Sequence, residues 1–203
     1  MAQNLEDLRV RRTRKLLQKA LLESTIEKGF AHVTVRDIVG RAMVNRATFY
    51  RHYEDKYDLL RHYIEELSGM IDSPEGEAAS GNQPMESPDT PPAGLVNLLR
   101  HMQANAEFYR VMLGRRGEPA FCAQSFRDYI EQGLRGLLSG HAGNDDPNRL
   151  PIELTVNYIL NAGVGGIVWW LENNEPCPPE QMAIWLYQLS MASIRVSIPE
   201  IQP

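Results

Sequence analysis

The stretch Asn45-Arg46-Ala47-Thr48 gathers side chains that can recognise the edges of base pairs in duplex DNA. An arginine can donate two hydrogen bonds to guanine O6 and N7, and an asparagine can pair with adenine. The methyl groups of alanine and threonine can contact the methyl group of thymine. The four residues open a predicted short helix, Arg46 to Tyr53, for which Asn45 is a suitable N-cap. The pattern therefore predicts a helix that enters the major groove by its N-terminal end.

Side chains around this helix have the chemistry to bind phosphates. Tyr50, Arg51 and His52 follow the four base-reading candidates, and Lys56 opens the next predicted helix, whose N-terminal N–H groups favour an anion. Upstream, residues 9–19 hold six basic residues and no acidic one. In this run Arg11, Arg12, Arg14 and Lys15 are expected to reach flanking phosphates or the minor groove. The predicted DNA-contacting set is Thr34, Arg36, Asn45, Arg46, Ala47, Thr48, Tyr50, Arg51, His52 and Lys56.

Three predicted helices position these side chains. Thr34 is a good N-cap for a helix over 35–42, and a tight turn at Met43 and Val44 joins it to the helix over 46–53. Two short helices joined in this way form a helix-turn-helix unit. A longer helix over 9–28 is expected to pack Leu16, Leu17, Ala20, Leu21 and Ile26 against the pair. Phe49 and Tyr53 are expected in the core of this unit, whereas Tyr50 is expected at the basic surface.

Charge is distributed unevenly along the 203 residues. The formal net charge is −5, but residues 1–71 hold 13 Lys and Arg against 10 Asp and Glu, and residues 72–203 hold 8 against 16. Basic residues are thus concentrated at one end, as expected when only that end meets phosphate. Neither a secretory signal nor an apolar run of about 20 residues is recognisable, and Cys122 and Cys177 lack the spacing of a zinc site. The expected location is the cytoplasm, without a membrane partner.

Beyond residue 71 the sequence predicts a loop and then a second helical domain. Residues 72–92 hold five of the thirteen prolines and almost no large apolar side chain, which is typical of a flexible linker. Helical spacing of apolar residues then predicts helices over 93–109, 119–140, 151–173 and 179–196. No alternating stretch predicts a sheet. The expected fold is all-α, with a DNA-binding domain over 1–71, a linker over 72–92 and a sensing and dimerisation domain over 93–203.

The last two predicted helices have the composition of a subunit interface. The first contains Gly163, Gly165 and Gly166, which cost about 1 kcal/mol each in a helix interior unless close packing offsets them. The second is apolar on more than one face, which is typical of a buried helix. The candidates for a ligand pocket in this domain are apolar and aromatic residues with a few polar ones, and plain core packing is the alternative for each: His101, Phe108, Tyr109, Phe126, Tyr129, Asn161 and Trp169.

The N-terminal motifs resemble the tetracycline-repressor (TetR) family of bacterial regulators. The matching residues are Thr34-Val35-x-x-Ile38, Ala42-x-Val44, Thr48-Phe49-Tyr50-x-His52-Tyr53 and Lys56-x-x-Leu59-Leu60, preceded by a first helix ending at Gly29-Phe30. The resemblance implies a recognition helix at Asn45–Tyr53, a homodimer paired through its last two helices and a ligand-controlled C-terminal domain. It also implies a repressor on a palindromic operator. The chain departs from the family at Met43, where Gly is usual, at Asn45, where Ser or Thr is usual, and in its longer loop over 72–92.

The sequence also bears on two other classes of function. A helical enzyme is disfavoured because the chain has no GxSxG, HExxH or phosphate-binding loop motif, and Cys122 has no evident base. A helical adaptor that regulates by binding another protein, with weak or no operator binding, is the alternative that a DNA-binding assay separates. No cofactor is predicted, and His52 has no partner at the spacing of a metal site.

Overall fold

The computed structural model describes residues 2–71, 90–114 and 150–197. Within these ranges the regular structure consists of eight α-helices and one 3-10 turn, with no strand, so the all-α prediction is confirmed. The described residues form two compact units, 2–66 with 107–114, and 67–71 with 90–106 and 150–197. The predicted helix over 119–140 and most of the predicted linker lie outside the described residues.

Helix α1, Ala2–Lys28, begins seven residues before the predicted start and ends at Gly29, whose φ of 79° is left-handed. Its side chains Leu17, Ala20 and Leu21 are buried as predicted, but the predictions for Leu16 and Ile26 were wrong because both are exposed. Ile26 lies nine residues after Leu17, which at 3.6 residues per turn places it on the opposite side of the helix. A 3-10 turn, Phe30–His32, then leads to α2.

Helix α2, Val35–Ala42, has the bounds that its cap signals predict. It ends in a Schellman motif, in which the Val44 N–H donates to the Val39 carbonyl (3.0 Å) and the Met43 N–H to the Gly40 carbonyl (3.3 Å). The motif needs a left-handed residue, and Met43 supplies it with φ 52° and ψ 41°. The strain expected from a residue other than Gly is therefore present in the turn.

Helix α3, Arg46–Tyr50, is three residues shorter than predicted, and α4, Lys56–Ile71, follows it. Asp55 caps the N-terminus of α4, since its Oδ1 accepts hydrogen bonds from the N–H groups of Tyr57 and Asp58 (both 2.8 Å). The side chain of Asp58 in turn accepts the Glu54 N–H (2.9 Å). Side-chain acceptors thus replace the helical hydrogen bonds that the turn between α3 and α4 lacks.

The core of the first unit joins α1, the helix-turn-helix pair, α4 and, from Glu107 onward, the helix α6 (Ala106–Leu113). The fully buried side chains of this core include Leu17, Leu21, Phe30, Ile38, Phe49, Leu59, Leu60 and Phe108. The aromatic rings of Tyr63 on α4 and Phe108 on α6 meet edge to face with centroids 6.1 Å apart. The helix predicted over 93–109 is in fact two helices, α5 (Ala93–Ala104) and α6 (Ala106–Leu113), which separate at Asn105.

The second unit contains α5, α7 (Ile152–Glu172) and α8 (Pro179–Ser197), and α8 packs against both of the others. Trp170 is fully buried, and its Nε1 donates to the Cys177 carbonyl across the α7–α8 turn (2.9 Å). Gly166 allows the close approach of α8, since a Cβ there would lie 2.9 Å from Leu186 Cδ2. The prediction that the glycines serve helix packing is confirmed at Gly166.

By length and composition alone, one described helix segment, Glu153–Glu172, is apolar enough to cross a membrane. A third of that window is buried within the protein, and core helices of soluble proteins pass the same test. One such helix is therefore weak evidence for a membrane span.

Candidate nucleic-acid interface

The N-terminal end of α3 presents its side chains to solvent. Asn45 caps the helix, since its Oδ1 accepts the Ala47 N–H at 2.8 Å. Asn45, Arg46 and Ala47 are exposed, and Thr48 is half-buried. The four candidates for base reading thus lie together at the start of a helix that the fully buried Phe49 anchors in the core. This arrangement matches a recognition helix that meets base edges with its first turn.

Arg46 and Tyr50 lie one helical turn apart and contact each other. The Arg46 Nη2 donates to the Tyr50 hydroxyl at 3.1 Å, and the guanidinium carbon lies 5.4 Å from the centre of the Tyr50 ring. Tyr50 is 48% exposed, whereas Phe49 and Tyr53 are buried, so the predicted division into one surface ring and two core rings is confirmed.

Thr34 and Arg36 stand at the start of α2. Thr34 and Asp37 form a capping box, in which the Thr34 hydroxyl accepts the Asp37 N–H (3.3 Å) and the Thr34 N–H donates to Asp37 Oδ2 (2.8 Å). The Thr34 hydroxyl also donates to Asp37 Oδ2 (2.6 Å). Lys28 adds an ion pair at 2.7 Å, and these contacts hold the pKa of the Asp37 carboxyl well below its usual range. Arg36 is exposed beside them. The Thr34 side chain is thus committed to the cap, while Arg36 remains available to solvent.

Arg51 and His52 follow α3, and His52 lies close enough to Arg14 of α1 to feel its charge. Arg51 is exposed and His52 is half-buried. Burial, and then the positive charges of Arg14 and Arg51, lower the pKa of His52 below its usual 6.5. The charged form of His52 is therefore disfavoured in the free protein, and the neutral ring can offer a phosphate a hydrogen bond. The basic residues of α1 that were predicted to face phosphate are all exposed: Arg9, Arg11, Arg12, Arg14, Lys15 and Lys19.

Lys56 differs from the other predicted phosphate ligands because its ammonium group points at the protein. Its Nζ donates to the carbonyl oxygens of Phe30 (2.8 Å) and Ala31 (3.1 Å) and lies 4.7 Å from the centre of the Phe30 ring. Sequence patterns missed this contact because it joins residues 25 and 26 positions apart.

The structure describes five of the seven predicted ligand-pocket residues. His101 lines a cavity of about 230 Å³ in the second unit, together with Leu67, Asn97 and Leu98. Phe108 and Tyr109 are buried in the first unit. Asn161 is exposed, and Trp169 is half-exposed. Phe126 and Tyr129 lie outside the described residues. No sequence signal distinguished Leu67, Asn97 and Leu98, since ordinary helix positions carry the same residue types.

Burial lowers the pKa of His101, so this imidazole is neutral at pH 7 and can donate or accept a hydrogen bond in the cavity. In the described part of the chain, His, Cys, Asp and Glu residues form no group of three that could hold a metal ion.

Apolar residues, most of them large, form an exposed stripe along each of the last two helices. On α7 the stripe is Leu154, Tyr158, Ala162, Gly165 and Trp169, and on α8 it is Trp185, Leu189, Ala192 and Val196. Tyr158, Leu189 and Val196 are 63%, 68% and 71% exposed. The spacing of three, four or seven residues keeps each stripe on one side of its helix. We call these residues the α7–α8 apolar face.

Comparison with known proteins gives a consistent family. A family model described as tetR-family bacterial regulatory proteins matches residues 17–63, and one described as a transcriptional regulator C-terminal region matches residues 89–191. The HTH-type transcriptional regulator YxbF of Bacillus subtilis (strain 168) is 28% identical over 179 residues. The match covers 87% of this chain and 44% of that relative, so the chain spans less than half the length of this curated relative.

Solved structures share the fold. A TetR transcriptional regulator from Streptococcus agalactiae 2603V superposes with a TM-score of 0.63 at 22% identity, covering 92% of this chain and 97% of that one. A TetR-family regulator from Syntrophomonas wolfei superposes with a TM-score of 0.62 at 20% identity, covering 91% and 96%. The chain therefore belongs to the TetR family of helix-turn-helix transcription regulators, whose members bind DNA and small-molecule effectors and dimerise.

Proposed function

We propose that this protein is a sequence-specific operator-binding regulator, a repressor by family, that a small-molecule effector releases from DNA. The observation that carries the proposal is the exposed first turn of α3, where Asn45, Arg46 and Ala47 are open to solvent. Base reading is assigned to Asn45, Arg46, Ala47 and Thr48. Phosphate contact is assigned to the surrounding set, Thr34, Arg36, Arg51, His52 and Lys56, with the basic face of α1 beside it. Tyr50, which contacts Arg46, lies between the two sets.

The α7–α8 apolar face supports a homodimer on a palindromic operator. Soluble monomers rarely leave contiguous apolar surface of this kind uncovered. Gly163 and Gly165 leave open space where a Cβ would stand, so a second copy of the pair of helices can approach closely. A symmetric dimer would present two recognition helices to half-sites about 34–36 Å apart, one turn of the duplex.

The cavity at His101 supports an effector site in the second unit. Its lining offers apolar contact from Leu67 and Leu98 and hydrogen bonds from Asn97 and His101. At about 230 Å³ the cavity is smaller than the usual ligand pocket of about 300–1,000 Å³, so the effector proposed for it is a small molecule with one or two polar groups. An effector that binds one arrangement of the dimer better than the other shifts the population away from DNA. We assign residues 1–71 to DNA binding, residues 72–92 to a linker, and residues 93–203 to effector sensing and dimerisation.

We also propose that the protein acts in the cytoplasm and binds double-stranded DNA there, without a membrane partner. We assign it no catalytic activity. Soluble regulators of this family meet their operators in that compartment. The apolar character of α7 is then explained by packing within the protein and across the dimer.

The test is selection of random duplex DNA by the purified protein at two salt concentrations. The expected result is an enriched palindrome whose retention falls steeply with salt, because phosphate contacts release counterions. Arg46→Ala is expected to flatten the preference at one base pair in each half-site, by a factor of about 5 to 150. No enrichment by a folded dimer, with and without cell metabolites, would reject operator binding and favour the adaptor.

A further inference from the structure

Tyr50 is tied to the core on one side and to Arg46 on the other. Its ring meets the buried Phe49 ring edge to face, with centroids 5.5 Å apart and planes at 85°. Phe49 is fully buried, so this contact fixes the direction of the Tyr50 ring. The opposite end of Tyr50, its hydroxyl, accepts the hydrogen bond from Arg46 Nη2 at 3.1 Å. A surface tyrosine thus connects the packed core with the first turn of the recognition helix.

The contact restrains a side chain that is otherwise free to sample many rotamers. Arg46 is exposed at the first position of a five-residue helix. Among the described residues, its side chain is held by the hydrogen bond and the ring contact with Tyr50. An unrestrained arginine loses rotamer entropy when it binds a base, whereas a restrained one has lost it beforehand. A guanidinium has five N–H donors, so one bond to Tyr50 leaves enough for a bidentate contact with guanine.

We propose that Tyr50 is a positioning residue for Arg46 and thereby sets base specificity, instead of serving as a phosphate ligand. The inference rests on the proposed operator binding and goes beyond it, because it assigns specificity to a residue that need not touch DNA. The two roles of Tyr50 give opposite signatures. A positioning residue changes the preference at the base pair that Arg46 reads, whereas a phosphate ligand changes affinity for all sequences alike.

The experiment measures relative affinities for the selected operator and for its single-base-pair variants with four proteins: wild type, Tyr50→Phe, Arg46→Ala and the double variant. Tyr50→Phe keeps the ring and removes only the hydroxyl. The preference at the Arg46-dependent base pair is expected to fall about two- to tenfold, the factor that one hydrogen bond represents, with other positions unchanged. In the Arg46→Ala background, Tyr50→Phe is expected to change nothing. Tyr57→Phe, at a neighbouring exposed tyrosine, is the matched control and should leave every preference intact.

Each other result overturns the inference in a distinct way. An equal loss for all sequences, in both backgrounds, would show that Tyr50 binds phosphate. No effect of Tyr50→Phe in either background would show that the contact with Arg46 has no consequence on DNA. If the wild type selects no operator, the proposed function fails and this inference fails with it. If the wild type selects a palindrome and only the coupling is missing, the inference fails alone.

Discussion

Lys56 Nζ lies 2.8 Å from the Phe30 carbonyl oxygen and 3.1 Å from that of Ala31. These bonds join the first residue of α4 to the 3-10 turn between α1 and α2. The edge-to-face contact of Phe30 with Tyr57, at 5.2 Å, closes the same junction. Lys56 therefore holds the helix-turn-helix pair against α4, whatever part it takes in binding phosphate.

Replacing Lys56 with Met should destabilise the first unit. Lys56→Met keeps the apolar stem but leaves two carbonyl oxygens without their charged donor, and we expect a loss of about 1–3 kcal/mol in unfolding free energy. Urea unfolding monitored by circular dichroism measures it. The control is Lys19→Met on exposed α1, where a 3.8 Å pair with Glu23 is worth little, about 0–0.5 kcal/mol. Equal losses in the two variants would contradict the junction role.

Local signals in the sequence predicted local structure well. The caps at Thr34 and Asn45 fixed where α2 and α3 begin, because a side-chain acceptor three or two residues upstream satisfies specific N–H groups. What the sequence left open depends on distant contacts. Leu16 and Ile26 are apolar, as core residues are, but both are exposed on α1. The break between α5 and α6 lies at Asn105, where the sequence has neither Gly nor Pro to predict it. The bond from Lys56 to Phe30, like the cavity at Leu67 and Asn97, arises only when separate helices meet.

Replacing Met43 with glycine should stabilise the protein. Its side chain is 92% exposed and its φ is 52°, so the residue adopts a left-handed conformation without burial to offset it. The left-handed cost of about 1–2 kcal/mol outweighs the entropy cost of glycine, about 0.5–1 kcal/mol. We expect Met43→Gly to raise the unfolding free energy by about 0.5–1 kcal/mol. Met43→Ala retains the strain and should stay within about 0.5 kcal/mol of wild type; a comparable gain from Ala would refute the backbone explanation.

Tyr63 should make the protein sensitive to alkali. Burial on α4 raises the pKa of Tyr63 from 10.0 to about 12, although an interaction with the side chain of Tyr109 opposes the rise. Because burial favours the neutral phenol in the folded state, the contribution of Tyr63 to the unfolding free energy is fully present below pH 10. It is lost between pH 10 and about 12, by at most about 1.4 kcal/mol per pH unit.

Urea unfolding between pH 9 and 11.5 tests that slope. The unfolding free energy of Tyr63→Phe should fall less than that of wild type over this range, even if it is lower at pH 9 through loss of the interaction with Tyr109. Tyr50→Phe removes an exposed phenol and should run parallel to wild type. Parallel curves for Tyr63→Phe and wild type would show that Tyr63 does not titrate on unfolding.

A charge in the α7–α8 apolar face should separate the protomers. Leu189 is 68% exposed near the middle of the α8 stripe, so Leu189→Glu leaves the protomer core untouched while placing a carboxylate where the second copy would pack. Burying an unpaired charge costs several kcal/mol, which corresponds to a loss of dimer affinity of about a hundredfold or more. Sedimentation should show a dimer for wild type and a monomer of unchanged helix content for the variant. Leu16→Glu places the same charge at an exposed leucine of α1 and should remain dimeric. If Leu189→Glu also remains dimeric at micromolar concentration, the α7–α8 apolar face is not the interface, and the spacing of the two recognition helices must be set by another surface.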